Sequence, residues 1–294
     1  QPPIDTPSSG AAILYLHGGA WQALDKDFLT QPLFRRLGNQ GHVIVDLAYP
    51  LAPEADLNGM LADIRQTILW LKQHSSAYHI NPERMILMGV SGGAHLALMA
   101  AYASGHPAFQ ANKPSADMSV RAVVSVFGIT DLCAFFEEYG RSTRKQPEYS
   151  SQITEDLLQR IHDQTLIDRF LTHTRAFPAY RHTNMPGGAL LLVNLMGGTL
   201  KEIPEVYRQA SPINHIGPHC PPTLLVAAEN DFLIDPTHAR RQHQSLLQVG
   251  VKCIHREFPN CVHGFDQYIG VSRRIAPAAQ SMTYDVERFI ALMV

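Results

Sequence analysis

The sequence lacks the features that mark several broad classes of protein. Four cysteines occur in 294 residues, with no C-x-x-C pair, which argues against a disulfide framework. No apolar run approaches the roughly 20 residues that a membrane-spanning helix needs, so we expect no transmembrane segment in this chain. The net charge is −2 and no run of lysine and arginine is present, so nucleic acid is not an expected partner.

Cofactor motifs are absent as well. The histidines and acidic residues show no H-E-x-x-H or comparable ligand spacing, so we expect neither a metal nor an organic cofactor. The sparse cysteines favour free, mostly buried thiols in a reducing compartment, which favours the cytoplasm; a Cys253–Cys261 bridge is the alternative. Residues 1–10 are rich in Pro and Ser and resemble a linker, because they lack the basic start and apolar core of a signal peptide.

The stretch around Ser91 carries the strongest functional signal. Residues 85–88 predict a short buried strand, which runs into the G-x-S-x-G turn Gly89-Val-Ser-Gly-Gly93 and then a small-residue helix from about Gly92. In such a turn the glycines allow a sharp bend that presents the serine hydroxyl at the end of a sheet. The helix start adds free N–H groups and the positive end of its dipole. Ser91 is therefore the candidate nucleophile.

Strands and helices alternate over both ends of the chain. Apolar runs predict strands at 11–16, 42–49, 85–88, 120–127, 222–228 and 252–258. Helices are predicted at 57–71, with Asp56 as N-cap, and at 92–102, 236–249 and 277–293. This alternation predicts an α/β fold with a doubly wound, mostly parallel sheet, whose ligands bind at the carboxyl ends of the strands.

The alternation stops between Asp131 and Ile216. Helical patterns occur there instead, with apolar residues at Ile153, Leu157, Ile161, Ile167, Phe170 and Leu171. The run 189–196 fits either a strand or a helix, and its surroundings favour a helix. We therefore expect a core formed by 11–130 and 217–294, with 131–216 inserted as a helical cap over the site. A surface elaboration without a chemical role is the alternative.

A serine nucleophile needs a base and an acid that orients the base. Neutral imidazole suits proton abstraction near pH 7, and His263 lies in a loop directly after a predicted strand, next to Gly264. Asp231 ends the preceding strand and so falls at the same sheet edge, where a carboxylate can fix the imidazole. Asp235 is the runner-up, although N-capping explains it more simply, and Glu229 is expected to turn back toward the strand end.

The order Ser91, Asp231, His263 is the order found in α/β-hydrolases. With its flanking motifs, the sequence resembles the hormone-sensitive-lipase-like branch of the α/β-hydrolase esterases over most of its length except the cap. The matching segments are His17-Gly-Gly-Ala-Trp21, Tyr49-Pro-Leu-Ala-Pro-Glu54, Gly89-Val-Ser-Gly-Gly93, Asp231 in its strand-end loop and His263-Gly-Phe265.

The resemblance implies an oxyanion hole formed by the main-chain N–H groups of Gly18, Gly19 and Gly92. It also implies that His17 is structural. Ala20 stands where the family usually has glycine, which affects the shape of the pocket. The family normally carries two further strands and part of its cap before this motif, whereas 16 residues precede His17 here. Those strands are therefore expected to be missing from this chain, either because the sheet is shortened or because an N-terminal segment was removed.

These observations predict a serine hydrolase that cleaves small-molecule carboxylic esters through an acyl-enzyme. Trp21, beside the oxyanion turn, and His95, after the nucleophile, are candidate residues of an acyl pocket of limited polarity. One alternative is a thioesterase, an amidase or an acyl-releasing domain of a larger synthase on the same triad. Another is a non-catalytic binding protein of the same fold.

Overall fold

The computed structural model describes residues 5–28, 30–109, 117–141, 187–267 and 276–294. Six strands lie within these ranges and form one sheet in the order β2-β1-β3-β4-β5-β6, with every neighbouring pair parallel. They are β1 (Ala12–Leu16), β2 (Val43–Leu47), β3 (Met85–Val90), β4 (Ala122–Val126), β5 (Thr223–Ala228) and β6 (Cys253–Phe258). The predicted α/β fold with a parallel sheet is confirmed. Within the described ranges, β2 and β6 are the edges of this sheet.

Helices connect the strands in the described part of the chain. They are α1 (Gln31–Asn39), α2 (Leu57–Gln73), α3 (Gly92–Tyr102), α4 (Leu132–Arg141), α5 (Gly187–Met196), α6 (Pro204–Gln209), α7 (Thr237–Gln248) and α8 (Pro277–Met293). The crossover from β1 to β2 runs in the opposite direction along the sheet to those from β2 to β3 and from β3 to β4. Right-handed crossovers therefore put α1 on one face and α2 and α3 on the other.

Two helices on the face that holds α1 are joined by a charged pair. The Arg36 guanidinium donates from Nε and Nη2 to the two carboxylate oxygens of Glu287 in α8, at 2.8 and 2.7 Å. The same guanidinium lies 4.8 Å from the ring centroid of Tyr284. Both faces of the sheet are covered in this way, which explains why the inner strands β1, β3, β4 and β5 are buried at every position.

Helix α3 is buried along its whole length. It packs on β3 and β4, with α2 against it, which explains a composition dominated by glycine, alanine, leucine and methionine. Helix α2 begins as predicted, since the Asp56 carboxylate accepts a hydrogen bond from the Gly59 N–H at 2.9 Å. The ambiguous run 189–196 is helical, as its surroundings indicated.

Several sequence predictions have other outcomes. Helix α1, between β1 and β2, was not predicted. The apolar pattern from Ile153 to Leu171 lies outside the described residues. All four cysteines are free thiols, so the alternative Cys253–Cys261 bridge is not formed.

Candidate active site

The backbone at Ser91 has the strained conformation that its turn predicts. Ser91 joins the end of β3 to the start of α3 with φ 54° and ψ −119°, in a region that residues with side chains rarely occupy. An ideal Cβ on Gly89 would lie 2.3 Å from the Gly93 carbonyl oxygen, and one on Gly93 would lie 2.2 Å from that of Leu16. Both glycines are therefore required by close backbone contact, and the turn holds the serine at the carboxyl edge of the sheet.

Three side chains from separate strand ends meet at this edge. The Ser91 Oγ lies 3.2 Å from His263 Nε2, and His263 Nδ1 lies 2.8 Å from Asp231 Oδ2. Because a carboxylate only accepts hydrogen bonds, Nδ1 carries the proton and Nε2 is left to accept from the serine hydroxyl. The arrangement can remove the serine proton and stabilise the imidazolium that forms.

The carboxylate of Asp231 is fixed by main-chain hydrogen bonds. Asp231 is 2% exposed, and its other oxygen, Oδ1, accepts hydrogen bonds from the N–H groups of Leu233 and Ile234 at 2.9 and 2.8 Å. These contacts orient the carboxylate toward the imidazole. The two alternative acids are engaged elsewhere: Asp235 accepts from the Thr237 N–H at the start of α7, and Glu229 accepts from the Asn260 N–H.

The surroundings of His263 raise its pKa. Burial alone would lower the pKa of His263, but the charge and hydrogen bond of Asp231, with the charge of Asp266, outweigh it and raise the pKa above its usual value. The ring of Phe127 lies 5.2 Å from the imidazole, and Phe265 packs against Phe127 at the same centroid distance. These apolar rings cover the base, and Gly264 makes its loop turn with φ 80°.

The glycines of the expected oxyanion hole lie beside the serine. An ideal Cβ on Gly18 would be 3.6 Å from the Ser91 Cβ, and one on Gly92 would be 3.1 Å from the Trp21 main-chain nitrogen. Gly19 has φ 103° and packs against the Ala23 carbonyl. The loop that holds Gly18 and Gly19 is therefore in direct contact with the start of α3, close to the point where a tetrahedral oxygen would form.

Tyr49 holds this loop in place through His17, a role that sequence reasoning did not assign. Its buried hydroxyl donates to the His17 carbonyl oxygen at 2.7 Å, and its ring stacks on the His17 imidazole with centroids 4.3 Å apart. The His17 Nδ1 donates to the Gly18 carbonyl at 2.8 Å. His17 is thus engaged with Tyr49 and its own loop, which agrees with the structural role that the resemblance implied.

The expected pocket role of Trp21 and His95 is wrong. Trp21 is 1% exposed and His95 is 0% exposed, so neither side chain offers surface to a ligand. The Trp21 Nε1–H donates to His95 Nδ1 at 3.2 Å, and the rings meet edge to face at 5.3 Å between centroids. The small side chains around α3 leave room for both rings in the interior, where they bond to each other.

The loop after β1 that carries Gly18 and Gly19 and runs to Gln22, called the oxyanion loop below, also contacts α5, and sequence reasoning missed this contact. Gln22 is 4% exposed. Its Nε2 donates to the Leu191 carbonyl at 3.0 Å, and its Oε1 accepts from Asn194 Nδ2 at 3.0 Å. Helix α5 therefore lies next to the candidate site.

Two surveys of the described residues bear on other kinds of site. Among them, no group of three or more histidine, cysteine, aspartate or glutamate side chains is arranged to hold a metal ion. In the same part of the chain, no helix combines the length and the apolar character needed to span a membrane.

A parallel sheet that carries a serine turn, an acid and a histidine in this chain order at its carboxyl edge is the arrangement of the α/β-hydrolase fold. The BD-FAE family model matches residues 2–173. The chain belongs to the BD-FAE family, within the α/β-hydrolase esterases.

The chain is also similar to curated relatives, and it shares its fold with a solved structure. The probable carboxylic ester hydrolase LipM of Mycobacterium tuberculosis is 25% identical over 99% of this chain and 56% of its own length. The non-reducing polyketide synthase adrD of Penicillium roqueforti is 26% identical over 92% of this chain and 12% of its own. A propionate-bound esterase of Thermogutta terrifontis has the same fold, with TM-score 0.66, 18% identity, and coverage of 99% of this chain and 87% of that one. The chain spans about half the length of the mycobacterial relatives that it matches.

Proposed function

We propose that this chain is a serine hydrolase that cleaves carboxylic esters of small molecules through an acyl-enzyme. The observation that carries the proposal is the continuous hydrogen-bonded series from Ser91 through His263 to Asp231, at 3.2 and 2.8 Å. Membership of an esterase family and similarity to a carboxylic ester hydrolase support the same chemistry. No cofactor enters the proposed steps.

The geometry supports a two-stage mechanism. Ser91 Oγ attacks the ester carbonyl carbon while its proton passes to His263 Nε2, and the carbonyl oxygen becomes an oxyanion. The main-chain N–H groups of Gly18, Gly19 and Gly92 donate to that oxyanion, a contribution of several kcal/mol. Collapse breaks the bond to the leaving alcohol, which takes the proton from His263. Water activated by the same imidazole then attacks the acyl-enzyme and releases the acid.

The segment 131–216 is proposed as a cap over this site. The contacts that support it come from its described helices: α5 meets the oxyanion loop through Gln22, and the carbonyl of Ala210, just after α6, bonds to His95 in α3. A segment held against both parts of the site is suited to shape a substrate pocket and exclude water.

A serine-to-alanine substitution tests the mechanism directly. The Ser91→Ala variant should lose about 10⁴-fold or more in kcat for a short p-nitrophenyl ester, because the covalent step is removed. It should also lose labelling by a fluorophosphonate probe. Ser104→Ala is the matched control: Ser104 lies just beyond the far end of α3 and donates to the Ala101 carbonyl. Wild-type turnover by Ser91→Ala would refute the mechanism.

A second candidate keeps the acyl-enzyme and changes the substrate to a thioester or a carrier-bound acyl group. It is favoured by the match to a polyketide synthase over 92% of this chain. Comparing kcat/KM for a matched ester, thioester and amide with one acyl group separates the two. A thioester preference of tenfold or more over the ester would favour acyl release over simple ester hydrolysis.

A further inference from the structure

A buried imidazole lies one helical turn beyond the candidate nucleophile. His95 is the fourth residue after Ser91 in the chain, and its main-chain N–H donates to the Ser91 carbonyl at 3.1 Å. Its side chain is 0% exposed and has no role in the proton transfers proposed above. Burial of an imidazole costs free energy unless both ring nitrogens have hydrogen-bond partners. The partners of His95 therefore indicate its role.

Those partners come from two distant parts of the chain. His95 Nε2 lies 2.8 Å from the Ala210 carbonyl oxygen, which can only accept, so Nε2 carries the proton. Nδ1 is then the acceptor for the indole N–H of Trp21. Burial lowers the pKa of His95 to about 4, so this neutral tautomer persists at neutral pH.

Of the two partners of His95, Trp21 belongs to the oxyanion loop. Trp21 follows Gly18, Gly19 and Ala20 directly, and an ideal Cβ on Gly92 would lie 3.1 Å from its main-chain nitrogen. Both Ala20 and Trp21 have positive φ, 51° and 63°, a conformation unfavourable for residues with side chains. Such a loop keeps its shape only when its surroundings hold it there.

We propose that His95 is a positioning residue for the oxyanion hole, because it fixes the loop from Gly18 to Trp21 between the nucleophile helix and the segment that follows α6. This inference rests on the proposed function. An oxyanion donor is effective only when its N–H is aimed at the site where charge develops, and a displacement of about 1 Å can cost roughly 100-fold in rate. By holding the indole, the imidazole keeps the loop in register with the serine.

Three substitutions test the proposal by their hydrogen-bonding capacity. Trp21→Phe keeps an aromatic ring and removes the N–H donor, and His95→Leu removes both bonds. His95→Gln keeps one donor and one acceptor, so it should restore part of the activity that His95→Leu loses. We expect Trp21→Phe and His95→Leu to lower kcat for a p-nitrophenyl ester by about ten- to 100-fold. KM should change less than threefold, because the oxyanion exists only in the transition state.

A trifluoromethyl ketone supplies a second readout. Such a ketone adds to an active serine and forms a tetrahedral oxyanion, so its affinity should fall by the same factor as kcat in both variants. His42→Gln is the matched control, since His42 is also buried and bonds to Ser9 Oγ at 2.8 Å, near the amino end of β2. It should lose stability without losing turnover or ketone affinity.

The outcomes separate this inference from the proposed function. Unchanged kcat and ketone affinity in Trp21→Phe, with a lowered melting temperature alone, would overturn the positioning role while leaving the mechanism intact. A rise in KM with kcat preserved would also overturn it. Retained activity in Ser91→Ala would instead remove the mechanism on which the inference rests. Should His95→Leu fail to fold, Trp21→Phe and His95→Gln decide the question.

Discussion

Replacing Gly93 by alanine probes the close packing of the nucleophile turn against the end of β1. A Cβ at this position would lie 2.2 Å from the Leu16 carbonyl oxygen and 2.3 Å from that of His17. Both atoms belong to the main chain where β1 ends, so no side chain can rotate away to make room. The new methyl group must displace α3 or the loop that begins at His17.

The size of the effect follows from that geometry. Relief of the overlap needs a shift of about 1 Å, since overpacked side chains tolerate little compression. Inserting a methyl into a packed interior typically costs about 1–3 kcal/mol, and two rigid contacts put this site at the upper end, about 3 kcal/mol of unfolding free energy. A 1 Å displacement of the loop that carries Gly18 should also reduce kcat by roughly 100-fold.

Urea denaturation followed by tryptophan fluorescence measures the first effect, and hydrolysis of a p-nitrophenyl ester measures the second. Gly38→Ala is the matched control. Gly38 lies within α1, and an added Cβ there has no atom within 4 Å, so the variant should gain about 0.5–1 kcal/mol from helix propensity and reduced chain entropy. A Gly93→Ala protein with wild-type midpoint and turnover would refute the steric argument.

Three further substitutions test the site and its support. Asp231→Asn should lower kcat by roughly 10³–10⁴-fold. It should also move the acid limb of kcat/KM to lower pH, because the carboxylate that raises the pKa of His263 is gone and the base stays neutral further into acid. Tyr49→Phe should cost about 1–2 kcal/mol of stability by leaving the His17 carbonyl without its donor, and should lower kcat severalfold. Asp56→Ala should cost about 1 kcal/mol by removing an N-cap, with kcat unchanged.

Each of these has a measurement that can contradict it. A pH–rate profile of Asp231→Asn that coincides with the wild-type profile would mean that another group sets the pKa of the base. For Tyr49→Phe, the free energy of unfolding from urea denaturation and kcat should both fall. An unaltered kcat would mean that Tyr49 does not influence the site. For Asp56→Ala, a loss of turnover would show that the start of α2 influences the site, which its position does not suggest.

The sequence was most informative where a residue type and a strand end coincide. Ser91, Asp231 and His263 could be chosen because parallel strands end at one edge, so loops far apart in the chain are brought together there. In the structure His263 lies between the other two, with its ring nitrogens 3.2 Å from the Ser91 Oγ and 2.8 Å from the Asp231 Oδ2. The close contacts at Gly89 and Gly93 were likewise foreseeable, because a turn that exposes a serine this sharply leaves no space for a Cβ.

Side-chain direction was less predictable than position. Trp21 and His95 stand next to the motifs, which made a pocket role reasonable, but both side chains point into the interior and are 1% and 0% exposed. The acceptor for His95 is a carbonyl 115 residues further along the chain, a distance at which no local pattern is informative. Helix α1 was missed because it has nine residues, too few to build a long apolar stripe.

The bond between His95 and Ala210 ends on a main-chain oxygen. Any residue at position 210 supplies that oxygen, so this hydrogen bond places no demand on the side chain there as long as the backbone follows the same path; the tight packing around Ala210, which is 1% exposed, is a separate constraint. Gln22 makes one hydrogen bond of the same kind, to the main-chain carbonyl of Leu191, but its other bond depends on a side chain, the amide of Asn194. Homologous proteins with diverged segments after α4 should therefore conserve the route of the chain past α3 more strictly than the amino acids along it.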